Sequence, residues 1–105
     1  MGTSGIGDGI AIPHVKHPVV LAGMEPMIGL FFLEEAVDFS SPDGRRVSTV
    51  FMILSSSFKG HLALLSRLAF CLQDIDVRSA LDSRASREEI VAMFTITESK
   101  IARVP

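Results

Sequence analysis

Hydrophobic periodicity changes character near Ser55, and that change does most to limit the folds open to these 105 residues. Ahead of it, apolar side chains come in short continuous runs. Met27 to Leu33 is apolar apart from Gly29, and Val47 to Leu54 is rich in β-branched and aromatic residues. Runs of that length and type are strand signals. Beyond it, Leu62, Leu65, Leu68, Ala69 and Leu72 recur at steps of three and four, the spacing of one broad helix face. Strands followed by helices predict an α/β or α+β layer architecture. The length is that of one domain, taken as residues 1–105.

The punctuation refines this outline. Ile10 to Val15 predicts a short apolar strand entered from a glycine-rich turn. Met27 to Leu33 reads as a central strand covered on both faces, continued by Val37-Asp38-Phe39 past a charged bulge at Glu34-Glu35. Ser41-Pro42-Asp43-Gly44 has Pro second and Gly fourth, the preferences of a type I turn, and predicts a hairpin into Val47–Leu54. Asp76 is the expected N-cap of a short helix through Val77, Ala80 and Leu81. Ser86-Arg87-Glu88-Glu89 fits a capping box ahead of Ile90, Val91, Met93 and Phe94.

Composition removes several functions. Ten Lys and Arg against twelve Asp and Glu give a net charge of -2, unlike the strongly basic domains that hold nucleic acid by charge. The absence of Trp and Tyr weakens base stacking as a binding mode. Cys71 is the single cysteine, so an internal disulfide and a multi-cysteine zinc site are excluded, and a reducing cytoplasm is the expected location. No apolar run approaches the roughly 18 to 20 residues of a membrane helix. Mean hydropathy of +0.40 is high for a small domain, and implies strands buried on both faces or a surface meant for a partner.

Chemistry concentrates on three histidines. His14 ends the string Gly5-Ile6-Gly7-Asp8-Gly9-Ile10-Ala11-Ile12-Pro13-His14. Pro13 fixes its own φ and biases Ile12 toward an extended backbone. The glycines permit a backbone that approaches a ligand closely, with amides turned inward as in anion-binding nests. A neutral imidazole on such a support suits phosphoryl transfer, because its free nitrogen is nucleophilic near neutral pH. Amide donors nearby would stabilise charge on the equatorial oxygens. A Gly/Pro-rich turn ending in His is also, more commonly, a plain loop. Nor is it a nucleotide fingerprint, since G-x-G-x-x-G would need glycine where Ile10 stands.

His61 falls at the expected start of the leucine-rich helix, where it either is simply solvated or faces His14 and supports a phosphoryl group. His17 lies three residues beyond His14, on the opposite side of an extended segment, and is read as a surface residue. The same divergence argues against a zinc site built from the three. Cys71, among Leu68, Phe70 and Leu72, reads as a buried, inert thiol. Ser55-Ser56-Ser57 lacks the surroundings of a nucleophile elbow and reads as a polar loop or helix approach. Asp43-Gly44 reads as a turn pair.

The string from Ser4 to His14 closely resembles the active-site segment of the enzyme IIA domains of the bacterial phosphotransferase system, in the fructose/mannitol class that includes the nitrogen-regulatory homologues. Val37-Asp38-Phe39, Pro42-Asp43-Gly44, Val47 to Leu54, and His61-Leu62 with Leu64-Leu65 and Leu68-Ala69 resemble the rest of that pattern in order, from about Thr3 to Phe94. The resemblance implies an α/β fold, a mixed β-sheet flanked by helices. It implies that His14 is phosphorylated by the phosphocarrier HPr or its nitrogen-branch paralogue, with Gly7, Gly9, Ile12 and Pro13 forming the backbone of the phosphoryl site. His61 would be the second active-site histidine, and no metal or organic cofactor would be needed. The phosphoryl group would pass to a cysteine of an enzyme IIB domain or act as a regulatory signal on a target protein. With no transporter domain in this sequence, a regulatory member is favoured. A fold-only interaction module is the alternative.

Two departures from the family stand out. The chain starts almost at the motif, so the family's leading helical segment and its arginine are missing and an N-terminally shortened fragment is expected. Sheet surface exposed in that way would favour a homo-oligomer. Lys59-Gly60 replaces the more usual acidic or polar residue before the second histidine, leaving Lys16 or Lys59 as sources of positive charge.

Overall fold

The computed structural model describes residues 5–13 and 25–101. The chain divides into two compact units, Met1–Leu64 and Leu65–Pro105. The first contains a mixed four-stranded sheet: β1 (Gly5–Gly7), β2 (Ile10–Ala11), β3 (Met27–Val37) and β4 (Val47–Leu54). Helix α1 (Phe58–Cys71) carries the chain across the division, and α2 (Ile75–Asp82) and α3 (Arg87–Ile101) belong to the second unit.

The strands lie in the order β1-β2-β4-β3. β1 and β2 are antiparallel, β2 runs parallel to β4 with Ile10 opposite Thr49, and β3 and β4 form an antiparallel hairpin. The inner positions thus fall to β2 and β4, although Met52 of β4 is exposed. Thr49, Phe51 and Ile53 alternate with Val50 along β4, and all four are buried. Ala11, Val47 and Val50 form a core cluster, with Leu33 and Phe39 packed against it. Burying one side chain as large as Phe51 is worth about 1.5–3 kcal/mol.

β3 departs from expectation. Among the described residues it is an edge strand, and Met27, Ile28, Phe31 and Val37 are exposed. An apolar run looks the same whether one or both sides are covered; the parallel pairing of β2 with β4 takes the central position. The anticipated bulge is present. Phe32 pairs with Thr49 and Val37 with Val47, so β3 uses five residue steps where β4 uses two, with Glu34 and Glu35 in the irregular stretch. β3 stops at Val37, short of Asp38-Phe39. β2 likewise covers Ile10–Ala11 and stops before Ile12 and Pro13; the rest of the expected stretch, His14 and Val15, lies outside the described residues.

The helices start and stop for local reasons. The N-cap of α2 is Asp74 rather than Asp76: its carboxylate accepts from the amides of Asp76 and Val77, and Asp76 lies inside the first turn. Ser86 Oγ accepts from the Glu89 amide at 3.2 Å and caps α3. α1 ends at Cys71, although the Leu72 amide still reaches the Leu68 carbonyl. Helices α2 and α3 pack together, and Leu68, Cys71, Leu72, Val77, Leu81 and Ile90 are the buried apolar residues of this unit.

Candidate functional site

The glycine string folds into a tight hairpin. Gly7 pairs with Ile10, leaving Asp8 and Gly9 as the two central residues, with φ of 56° and 77°. Both being positive is the requirement of the mirror-image turns that match strand twist, and Asp-Gly is a preferred pair for it. Gly7 is also positive, at 99°, where the register shifts between Gly5 and Gly7. The carbonyl of Gly9 accepts from the amides of Ser48 (2.9 Å) and Thr49 (3.0 Å), which ties the hairpin to β4. Ile10, Ala11 and Ile12 are buried, and Pro13 is half-buried. The chain thus leaves the sheet through a residue of fixed φ, bonded directly to His14.

The amides of this turn are not all open to a ligand. That of Asp8 donates to Asp43 Oδ2 at 2.7 Å. Asp43 sits in the turn whose Gly44 amide donates to the Ser41 carbonyl at 3.0 Å, and its Oδ1 accepts from the Arg45 amide at 3.0 Å. The Asp8 amide, and then that of Arg45, hold the Asp43 carboxyl below the usual carboxylate range. Arg45 also reaches Asp8 Oδ1 at 3.5 Å, an exposed pair of small energetic value. The Asx-type bond to Arg45 is legible in a Pro-Asp-Gly turn. The bond to Asp8, 35 residues away, carries no local signal.

His61 lies in the first turn of α1, half-buried, with its amide donating to the Ser57 carbonyl at 3.0 Å. The serine cluster caps that helix: Ser57 Oγ accepts from the Gly60 amide at 3.0 Å, and Ser55 Oγ donates to the Ser57 carbonyl. A Cβ on residue 60 would come within 2.5 Å of Ser55 Oγ and 3.0 Å of Ser57 Oγ. A side chain at this position would have to displace the two serine hydroxyls from these bonds.

Gly7, Gly9, Ile12 and Pro13 are thus gathered on one hairpin and its exit, and His61 is placed on α1. His14, His17 and Lys16 lie outside the described residues. Cys71 is fully buried, and burial, followed by the charges of Glu98 and Asp74, pushes its thiol up, away from reactivity. Among the described residues, no group of three or more His, Cys, Asp or Glu could hold a metal ion, and no helix is long and apolar enough to cross a membrane.

An α/β chain in which a glycine hairpin leads into Pro-His, and a second histidine opens a leucine-rich helix, is of the enzyme IIA type. The model of the phosphoenolpyruvate-dependent sugar phosphotransferase system EIIA 2 family matches residues 1–96, and the chain belongs to that family. Among its relatives, the nitrogen regulatory protein of Bradyrhizobium diazoefficiens is 42% identical over 91 residues, 84% of this chain and 56% of that protein. The fructose-specific EIIABC component of Bacillus subtilis is 36% identical over 91 residues, 85% of this chain and 14% of that protein. The crystal structure of the nitrogen regulatory protein IIA-Ntr from Neisseria meningitidis superposes with a TM-score of 0.69 at 34% identity, covering 89% of this chain and 63% of that one. The chain therefore spans less than two thirds of the nitrogen regulatory proteins it resembles.

Proposed function

We propose that this chain is a cytoplasmic phosphoryl carrier that accepts a phosphoryl group on His14 from an HPr-type protein. The free imidazole nitrogen of His14 attacks phosphorus in line as the P–N bond to the donor histidine breaks. The donor ring leaves with that electron pair and takes up a proton, while His14 gives one up from its other nitrogen. His61 supports the phosphoryl oxygens without carrying the group. The observation that carries this reading is the family match over residues 1–96, which includes the complete glycine–Pro13–His14 segment. The nitrogen regulatory names of several relatives favour a signalling role, in which the phosphoryl group switches an interface with a target protein, over relay to an enzyme IIB cysteine.

Incubation with phosphoenolpyruvate, enzyme I and HPr tests the proposal. The wild type takes up acid-labile phosphate, His14→Ala takes up none, and His61→Ala takes up label but passes it on poorly. An unlabelled wild type makes the chain a fold-only interaction module instead, and equal labelling of His14→Ala overturns His14 as the phosphoryl carrier.

A further inference from the structure

We infer that Asp43 is a positioning residue for phosphoryl transfer: its carboxylate bolts the Gly7–Gly9 turn to the β3–β4 connection and thereby sets the backbone that delivers Pro13 and the histidine bonded to it. The inference deepens the functional reading above and rests on it.

The geometry is that of a two-point clamp. One carboxylate oxygen accepts from the Arg45 amide within its own turn, and the other accepts from the Asp8 amide at the tip of the β1–β2 hairpin. The tip needs a clamp. Gly7, Asp8 and Gly9 all have positive φ, a conformation that side-chain-bearing Asp8 adopts at a cost. β2 offers just Ile10 and Ala11 to the ladder with β4, so a small rotation of the tip is passed along a short lever to Pro13. A charge-assisted bond of 2.7 Å to the Asp8 amide opposes that rotation. Asp43 also borders Gly7: a Cβ there would lie 3.4 Å from Asp43 Oδ2, an ordinary van der Waals distance. The Asp8 and Arg45 amides that bond to the carboxylate are both N–H donors, and the Arg45 charge also favours the ionised form. An asparagine satisfies one of these amides and turns its NH2 against the other, so charge and shape are both required.

In-line transfer is sensitive to placement, since a shift of about 1 Å can cost on the order of 100-fold in rate. Asp43→Ala and Asp43→Asn are each expected to slow labelling by phosphorylated HPr about 10- to 100-fold in kcat, with KM for phosphorylated HPr within about 2-fold of wild type. Label at completion should equal that of the wild type. In nuclear magnetic resonance spectra the Asp8 amide proton should move upfield in both variants, and the amides of Ile10 to Ile12 should exchange faster with solvent.

Three results overturn the inference. One is an unmoved Asp8 amide, which removes the clamp. Another is a moved Asp8 amide with an unchanged labelling rate, which leaves a clamp that positions nothing. The third is a rate loss matched by a lower final label and recovered on cooling, which marks a loss of folded protein. If the wild type takes no label, the functional reading fails and the positioning role with it, while the Asp8 amide still reports the clamp by itself.

Discussion

Gly5 is glycine for reasons of space. A Cβ on it would collide with the Ser41 side chain and lie 3.1 Å from the Ser41 Cα, a backbone atom that cannot swing aside. Gly5→Ala is therefore expected to destabilise the fold by about 1–3 kcal/mol, the usual cost of overpacking. Urea denaturation checks this, and Ser41→Gly in the same chain should restore part of the loss because the two changes share one contact. Additive effects in that cycle would rule out the collision as the cause. Ser41 is buried with a hydroxyl that has no hydrogen-bond partner among the described residues, so its removal sacrifices little. Residue-scale chemistry of this kind was partly legible. Pro-Asp-Gly announces a turn and Ser86 a cap. The meeting of Gly5 with Ser41, or of Asp8 with Asp43, joins residues more than 30 positions apart and leaves no mark on local composition.

Elements declare themselves when short-range forces set their limits. β4 occupies Val47–Leu54, the expected span, because a turn precedes it and serines follow it. The serines then perform the role open to them, with Ser57 capping α1 through the Gly60 amide. Ser57→Ala is expected to cost about 1 kcal/mol and to fray the turn that carries His61. Thermal melting reads the first effect, and amide exchange at Gly60 and His61 reads the second. Unchanged exchange there would mean the cap is replaced by solvent at no cost. Two aspartates flank Ile75 and either suits a cap by local pattern; Asp74 caps α2 rather than the expected Asp76 because its carboxylate reaches the second and third amides of the helix. The apolar run of β3 suggested coverage on both faces, but strand order is fixed by pairing and not by the run itself. Among the described residues, Glu34 and Glu35 lie in the irregular stretch of an edge strand, where charge and a bulge discourage pairing with a second chain.

At the scale of the whole molecule, the parallel contact of β2 with β4 is the feature periodicity could not supply, since it joins segments almost 40 residues apart. Acid stability belongs to the same scale, because each compact unit contains a carboxylate held below its ordinary range. In the first it is Asp43, through the Asp8 and Arg45 amides. In the second it is Asp74, through the Val77 amide most strongly, with partial burial opposing and the Asp76 amide and Lys100 assisting. A native pKa below the unfolded one means that the unfolded chain takes up these protons first. The stabilisation is therefore complete above the ordinary carboxylate value of about 4, and it disappears as pH falls through the lower native values. Urea unfolding from about pH 6 down to about pH 2.5 should show a decline beginning near the ordinary value. The Asp43→Asn, Asp74→Asn double variant should be less stable at the upper end and fall less steeply. The two curves should converge in acid, where the wild-type carboxylates are themselves protonated. Curves that stay parallel across the range would assign acid unfolding to other carboxylates and deny both aspartates their linkage to folding.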